Sequence, residues 1–308
     1  MEIALQFVLL ALGFVMLGKG ADWFVEGAAG IAMRFGIPQL VIGLTIVAMG
    51  TSAPEAAVSI AAAVKGNADI TIGNILGSNI LNILVILGLA ASIVPIAVAR
   101  STVRIEMPFM IAITALLFYQ GRDGSISLAD GGVLMVAFAA YMMYLYTMAM
   151  KSNVDSDLEE PGLPLGRCLL GAVGGLALII AGSNVTVGAA TSIATYAGLS
   201  ERFIGLTIVA LGTSLPELFT SVAAARRGNA DIAIGNIVGS NIFNILFVVG
   251  LSSLIIDIPF ASAFNFDTYV ALGAAVLLWL CVLRTQRLQR WAGALMLVCY
   301  AAYLGYIL

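Results

Sequence analysis

No histidine occurs anywhere in the 308 residues, which removes the commonest transition-metal ligand, the commonest general base and the Ser-His type of catalytic triad. Zinc chemistry and histidine-assisted hydrolysis are poor fits, and the chain does not read as an enzyme. Charge is nearly as scarce. Only 10% of residues are charged while 61% are hydrophobic, against roughly a quarter charged in a soluble domain. This composition belongs in a bilayer. The three cysteines, Cys168, Cys281 and Cys299, lie inside apolar runs without a spacing that suggests a metal or disulfide framework. The net charge of −3 leaves no basic stripe for nucleic acid, and no protein partner is evident. After Met1-Glu2 there is no basic n-region, and the first apolar run reaches Gly18-Lys19-Gly20 without a small-residue cleavage pattern. It is expected to be a retained span rather than a signal peptide.

Taking about 20 apolar residues per span predicts an all-α integral membrane protein of ten helices. They fall near 3–20, 38–64, 70–92, 103–119, 127–149, 168–190, 202–225, 231–254, 268–284 and 290–308. The polar linker 151–167, "KSNVDSDLEEPGLPLGR", is acidic and too short to hold a folded domain. It divides one transmembrane domain, 1–308, into halves 1–150 and 168–308. Alternation of the spans places Lys19, Arg34, Arg100, Arg104, Lys151, Arg167, Arg226, Arg227, Arg284, Arg287 and Arg290 on one side, and Lys65, Arg122 and Arg202 on the other. Basic residues favour the cytoplasm, so the linker is expected there and both termini on the extracytoplasmic side.

The halves repeat. Residues 41–90 align without a gap to 203–252 at a shift of 162, with about 34 of 50 positions identical. "IGLTIVAMGTSAPE" meets "IGLTIVALGTSLPE", and "GNADITIGNILGSNILNIL" meets "GNADIAIGNIVGSNIFNIL". The shift crosses five predicted spans, an odd number, so the second copy enters the membrane upside down. Such inverted repeats recur in secondary transporters, and apolar bias alone does not place Pro54/Pro216, Glu55/Glu217, Asn74/Asn236 and Asn82/Asn244 at one shift.

Within each copy a proline precedes a glutamate at mid-span, where ionisable groups are costly and functional by default. Proline lacks an N–H and clashes with the carbonyl four residues back, so Pro54 is expected to free the carbonyl of Gly50, and Pro216 that of Gly212. Freed carbonyls in a bilayer need a protein partner, water or a cation. Thr51, Glu55 and Ser59 share a helix face, as do Thr213, Glu217 and Ser221. Asn74, Ser78 and Asn82 form a polar stripe along the next span, repeated by Asn236, Ser240 and Asn244. Oxygen donors without sulfur or imidazole suit hard cations such as calcium and sodium. Two carboxylates balance one divalent or two monovalent cations, and protons are an alternative charge partner.

Other features read structurally. Gly73/Gly77 and Gly235/Gly239 fit close helix packing, Asp69 and Asp231 fit helix caps, and the tyrosine-rich segments fit interfacial side chains.

On these residues the chain resembles the calcium/cation antiporter superfamily, in its sodium/calcium exchanger branch. The alpha-repeats of that branch carry G-T-S-x-P-E and G-N-x-x-G-S-N-x-x-[ND], and each motif is present twice here in full. It is similar to the short bacterial inner-membrane members. The resemblance implies an antiporter without a cofactor that exchanges Ca2+ for Na+ by alternating access. Its cation site falls on Ala48 (carbonyl), Thr51, Ser52, Glu55, Ser78 and Asn82, and on Ala210 (carbonyl), Thr213, Ser214, Glu217, Ser240 and Asn244. It also implies that the first and sixth spans are long tilted helices that slide past the core. Many relatives have aspartate where this chain has Asn82 or Asn244, so a carboxylate that those relatives bring to the site is an amide here. The linker has no room for a regulatory insertion. A calcium/proton exchanger would use the same residues, whereas a cation channel wants weaker sites and an intramembrane enzyme has no use for a duplicated ligand set.

Overall fold

A computed structural model describes residues 2–66, 68–152, 163–198 and 210–307. The first helix, α1 (Glu2–Arg34), runs for 33 residues, well past the predicted end near residue 20. No proline interrupts it before Pro38, so the hydrogen-bond ladder continues after the apolar window has closed. Lys19 therefore sits within a helix rather than at its end. The counterpart in the second half, α7 (Leu165–Tyr196), has 32 residues and likewise exceeds the predicted 168–190.

Between α1 and α7 lies α2 (Gln39–Thr51), joined at a 51° bend to α3 (Ala53–Val64). Then come α4 (Ile70–Ile93), α5 (Thr102–Asp123) and α6 (Leu128–Lys151). The second half continues with α8 (Ala210–Thr213) and α9 (Leu215–Arg226). It ends with α10 (Ala230–Ile255), α11 (Phe264–Leu283) and α12 (Arg290–Ile307). Among the described residues eight helices are each long and apolar enough to cross a membrane, and α2–α3 makes a ninth, broken crossing. The predicted span 202–225 begins outside the described residues, as does most of the linker 151–167.

Pro54 occupies the first turn of α3 and Pro216 that of α9, where a missing N–H costs least. The chain therefore breaks just before each proline, at Ser52 (φ −81°, ψ 6°) and Ser214 (φ −91°, ψ 3°). Asp231 does not cap α10: the helix starts from Asn229, without a side-chain cap bond. Asp69 lies at the start of the helix that contains α4.

The two helices that follow the breaks are central. About 83% of the most apolar stretch of α4 and 94% of that of α10 is buried, against 17% for α1, α6 and α12. Each contains one π-helical turn, Asn82–Leu87 and Asn244–Val249, opening directly on a predicted site asparagine. Such single π-turns are frequent at functional sites.

Glycine lets α1 and α7 touch along their length. A Cβ on Gly20 would lie 2.9 Å from the Gly175 carbonyl, and one on Gly182 2.9 Å from Met16 Cβ. Gly27 meets Cys168 and Gly13 meets Thr186, so residue numbers rise on one helix as they fall on the other, and the pair is antiparallel.

Two short antiparallel sheets clip the ends of the bundle. Strand β1 (Ile96–Ala97) pairs with β4 (Arg287–Leu288), and β2 (Ser125–Ile126) with β3 (Ile258–Pro259). The first sheet pairs Arg287 with Ala97, on the chain leading to Arg100.

Candidate cation site

The two helix breaks and the two central helices meet in the protein interior. Ser52, at the first break, donates to Glu217 Oε1 at 2.7 Å. Ser214, at the second, donates to Glu55 Oε1 at 3.3 Å, and Ser78 of α4 reaches the same oxygen at 3.4 Å. Each carboxylate thus receives a hydroxyl from the opposite half. Thr51 Oγ1 lies 3.0 Å from Asn236 Oδ1, and Ser240 donates to the Ala48 carbonyl at 3.4 Å. Thr51, Ser52, Glu55, Ser78, Asn82, Ser214, Glu217, Ser240 and Asn244 are all buried. Ala210 and Thr213 open and close α8. Among the described residues, the side chains that hydrogen-bond to the two glutamate carboxylates are neutral hydroxyls.

Among the described residues, four buried oxygens here have no hydrogen-bond partner: Glu55 Oε2, Glu217 Oε2, Asn82 Oδ1 and Asn244 Oδ1. Two come from each half, at positions 162 apart. Buried polar atoms are normally satisfied, so an unpaired carboxylate oxygen and an unpaired amide oxygen in each copy are the oxygens whose pairing a hard cation would complete. Among the described residues no cluster of three or more His, Cys, Asp or Glu forms. The set is therefore two carboxylates with neutral oxygens, the hard-donor chemistry that suits calcium and sodium.

Several expected donors are otherwise engaged. Gly212's carbonyl, expected to be freed by Pro216, accepts a 2.6 Å bond from Ser183 of α7, and Gly50's accepts a backbone N–H at the break. Ser59 and Ser221 do not join the carboxylates: Asn74 and Asn236 donate to them at 2.9 Å. The same two amides reach the backbone carbonyls of Glu55 and Glu217, at 3.3 and 3.4 Å. The first member of each polar stripe thus braces a glutamate-bearing helix. Gly235 and Gly239 pack against Gly43 and Leu44 of α2, and Gly73 faces Phe264, whereas a Cβ on Gly77 would meet no other element within 4 Å among the described residues.

Asn79 and Asn241 are functional candidates that the stripe at fourfold spacing passes over. Their signal was adjacency: each follows the serine of a repeated G-S-N. Outside the centre, Glu106 of α5 is a further buried carboxylate whose Oε1 accepts a bond from Tyr144 of α6, while Tyr303 donates to Asp267 at 2.8 Å.

A family model described as sodium/calcium exchanger protein matches residues 5–147 and again 168–308. The chain is 40% identical to CaxA of Alkalimonas amylolytica over 98% of both lengths. It is also 40% identical to the inner membrane protein YrbG of Escherichia coli K12, over 80% of this chain and 79% of that one. A structure of the sodium-calcium exchanger NCX_Mj, soaked with Na+ and Sr2+, superposes with a TM-score of 0.86 at 34% identity, covering 98% of this chain and 99% of that one.

Proposed function

Because the chain belongs to the sodium/calcium exchanger family, we propose that it is a secondary active antiporter exchanging Ca2+ for Na+ at the site between its two helix breaks. The observation that carries this reading is the set of four unpartnered buried oxygens on Glu55, Asn82, Glu217 and Asn244. Ca2+ takes about six to eight oxygens. The four are supplemented by the hydroxyls of Thr51, Ser52, Ser78, Thr213, Ser214 and Ser240 and the carbonyls of Ala48 and Ala210.

Antiport follows from charge. Two ionised carboxylates in a buried site without a bound cation carry a large desolvation cost. One Ca2+, or sodium ions of equal charge, removes it. The loaded site can be sealed from water and the empty one cannot, so the protein changes sides only when occupied and exchange replaces leak. Halves 1–150 and 168–308, as inverted repeats, each supply half the site. The antiparallel pair α1–α7 is the element that slides to open one side or the other. By likeness to YrbG the chain resides in a bacterial inner membrane, with both termini on the extracytoplasmic side.

Calcium uptake into inside-out vesicles, driven separately by a sodium gradient and a pH gradient, tests this. Uptake driven by sodium supports the reading. Uptake driven by pH alone would assign protons as counter-ion, and calcium flux that persists with no exchangeable ion opposite would make the protein a channel.

A further inference from the structure

Asn79 and Asn241 hold the site in an unusual way. Asn82 Nδ2 donates to Asn241 Oδ1 at 2.9 Å, and Asn244 Nδ2 donates to Asn79 Oδ1 at 3.0 Å. The two holding residues also grip each other: Asn79 Nδ2 donates to the Asn241 carbonyl at 3.3 Å and Asn241 Nδ2 to the Asn79 carbonyl at 3.1 Å. All four amides are buried, and each of these bonds crosses from one half of the chain to the other.

An amide group is ambivalent. Turned one way it offers a cation an oxygen, and turned the other way two N–H donors that repel it. Nothing in the side chain of Asn82 or Asn244 chooses between these, because the two ends have nearly the same shape. The choice comes from the partner. Asn79 Oδ1 and Asn241 Oδ1 are acceptors only and can be met only by the NH2 ends. Their own orientation is set in turn because their NH2 ends must face backbone carbonyls. The outcome is visible in the oxygens left over: Asn82 Oδ1 and Asn244 Oδ1 are both buried and, among the described residues, unpartnered.

We infer that Asn79 and Asn241 are positioning residues that lock the amides of Asn244 and Asn82 oxygen-first toward the transported cation. The inference rests on the site proposed above and adds two residues that touch no ion. It also explains how asparagine serves where a carboxylate would need no orienting: a carboxylate presents oxygen whichever way it turns, whereas an amide needs the lock.

The test is a double-mutant comparison in sodium-driven calcium uptake by the full chain. Removing a residue that orients a metal ligand commonly costs about 10- to 100-fold in affinity, so Asn79→Ala is expected to raise the calcium KM by about that factor. In an Asn244→Asp background the same change should cost less than about threefold, a non-additivity that reports direct coupling. A merely structural role predicts the same penalty in both backgrounds. Asn241→Ala with Asn82→Asp provides an independent second pair should the first fail to fold. An unchanged KM in Asn79→Ala, or an equal penalty in the Asn244→Asp background, overturns the lock. Loss of exchange by the wild-type chain would instead overturn the site on which it rests.

Discussion

Ser52 and Glu217 stand 165 residues apart in sequence and are joined by a 2.7 Å hydrogen bond, shorter than the 3.3 Å bond from Ser214 to Glu55 in the mirror position. The two halves of the site are therefore not equivalent. Glu55 Oε1 has a second hydroxyl in reach, from Ser78 at 3.4 Å. Losing a hydrogen bond to a charged group costs about 1.5–3 kcal/mol. Ser52→Ala is expected to raise the calcium KM by about 10- to 100-fold and Ser214→Ala by clearly less. Equal effects in vesicle uptake assays would show that the asymmetry has no energetic weight.

Neither carboxylate is dispensable on this reading. Glu55→Gln and Glu217→Gln each halve the negative charge of a fully buried site and replace a carboxylate oxygen with an N–H2 group. Each change alone is expected to abolish calcium exchange. Near-wild-type uptake by both would refute the site.

Ser183 couples α7 to the second break through its 2.6 Å bond to the Gly212 carbonyl. The equivalent position in the first half, 162 residues earlier, is Ala21, so this contact is made on one side only. Ser183→Ala leaves a buried carbonyl without that donor, a cost of about 1–3 kcal/mol. The expected result is a lower melting temperature together with slower exchange. Unchanged values of both would remove Ser183 from the mechanism.

The seam between α1 and α7 has no room for side chains at its glycines. A Cβ on Gly175 would stand 2.7 Å from the Gly20 carbonyl and 2.8 Å from Phe24 Cα, all backbone that can yield only if the helices part. Gly175→Ala is expected to destabilise the protein by about 1–3 kcal/mol, read as a fall in melting temperature. Gly174→Ala on the same helix, where a Cβ meets nothing within 4 Å among the described residues, is the control and should leave it unchanged.

Arg227 bridges to Asp22 and Glu26 of α1 at 3.2 Å each, with all three side chains more than a third exposed. Exposed pairs contribute at most about 1 kcal/mol. Arg227→Ala is accordingly expected to shift stability by less than that in a chemical or thermal melt, and a larger loss would show that the pair is shielded from solvent.

The chemistry of the centre was legible in one dimension because it is written twice. Glu55 and Glu217, Asn82 and Asn244, and the serines of both motifs stand out against an apolar background, and identical spacing in two copies is hard to produce by hydropathy alone. The extent of α1 was not legible, since a window of apolar residues measures transfer into lipid, whereas a helix ends where its hydrogen bonds end. The freed carbonyl of Gly212 was legible, but its fate was not: the hydroxyl that meets it comes from Ser183, on a different span.

Composition, the duplicated motifs and the mid-span glutamates by themselves determined that this is a membrane protein with two matched sets of hard oxygen donors. Each of those properties belongs to a residue and its near neighbours. Which serine meets which glutamate, and which amide is turned oxygen-first, was decided only by the tertiary structure. A hydrogen bond between positions about 160 residues apart depends on how two halves of the chain pack. Ser52 serves the other half's Glu217 because the two helix breaks meet, and Asn79 serves the other half's Asn244 because α4 and α10 pack against each other.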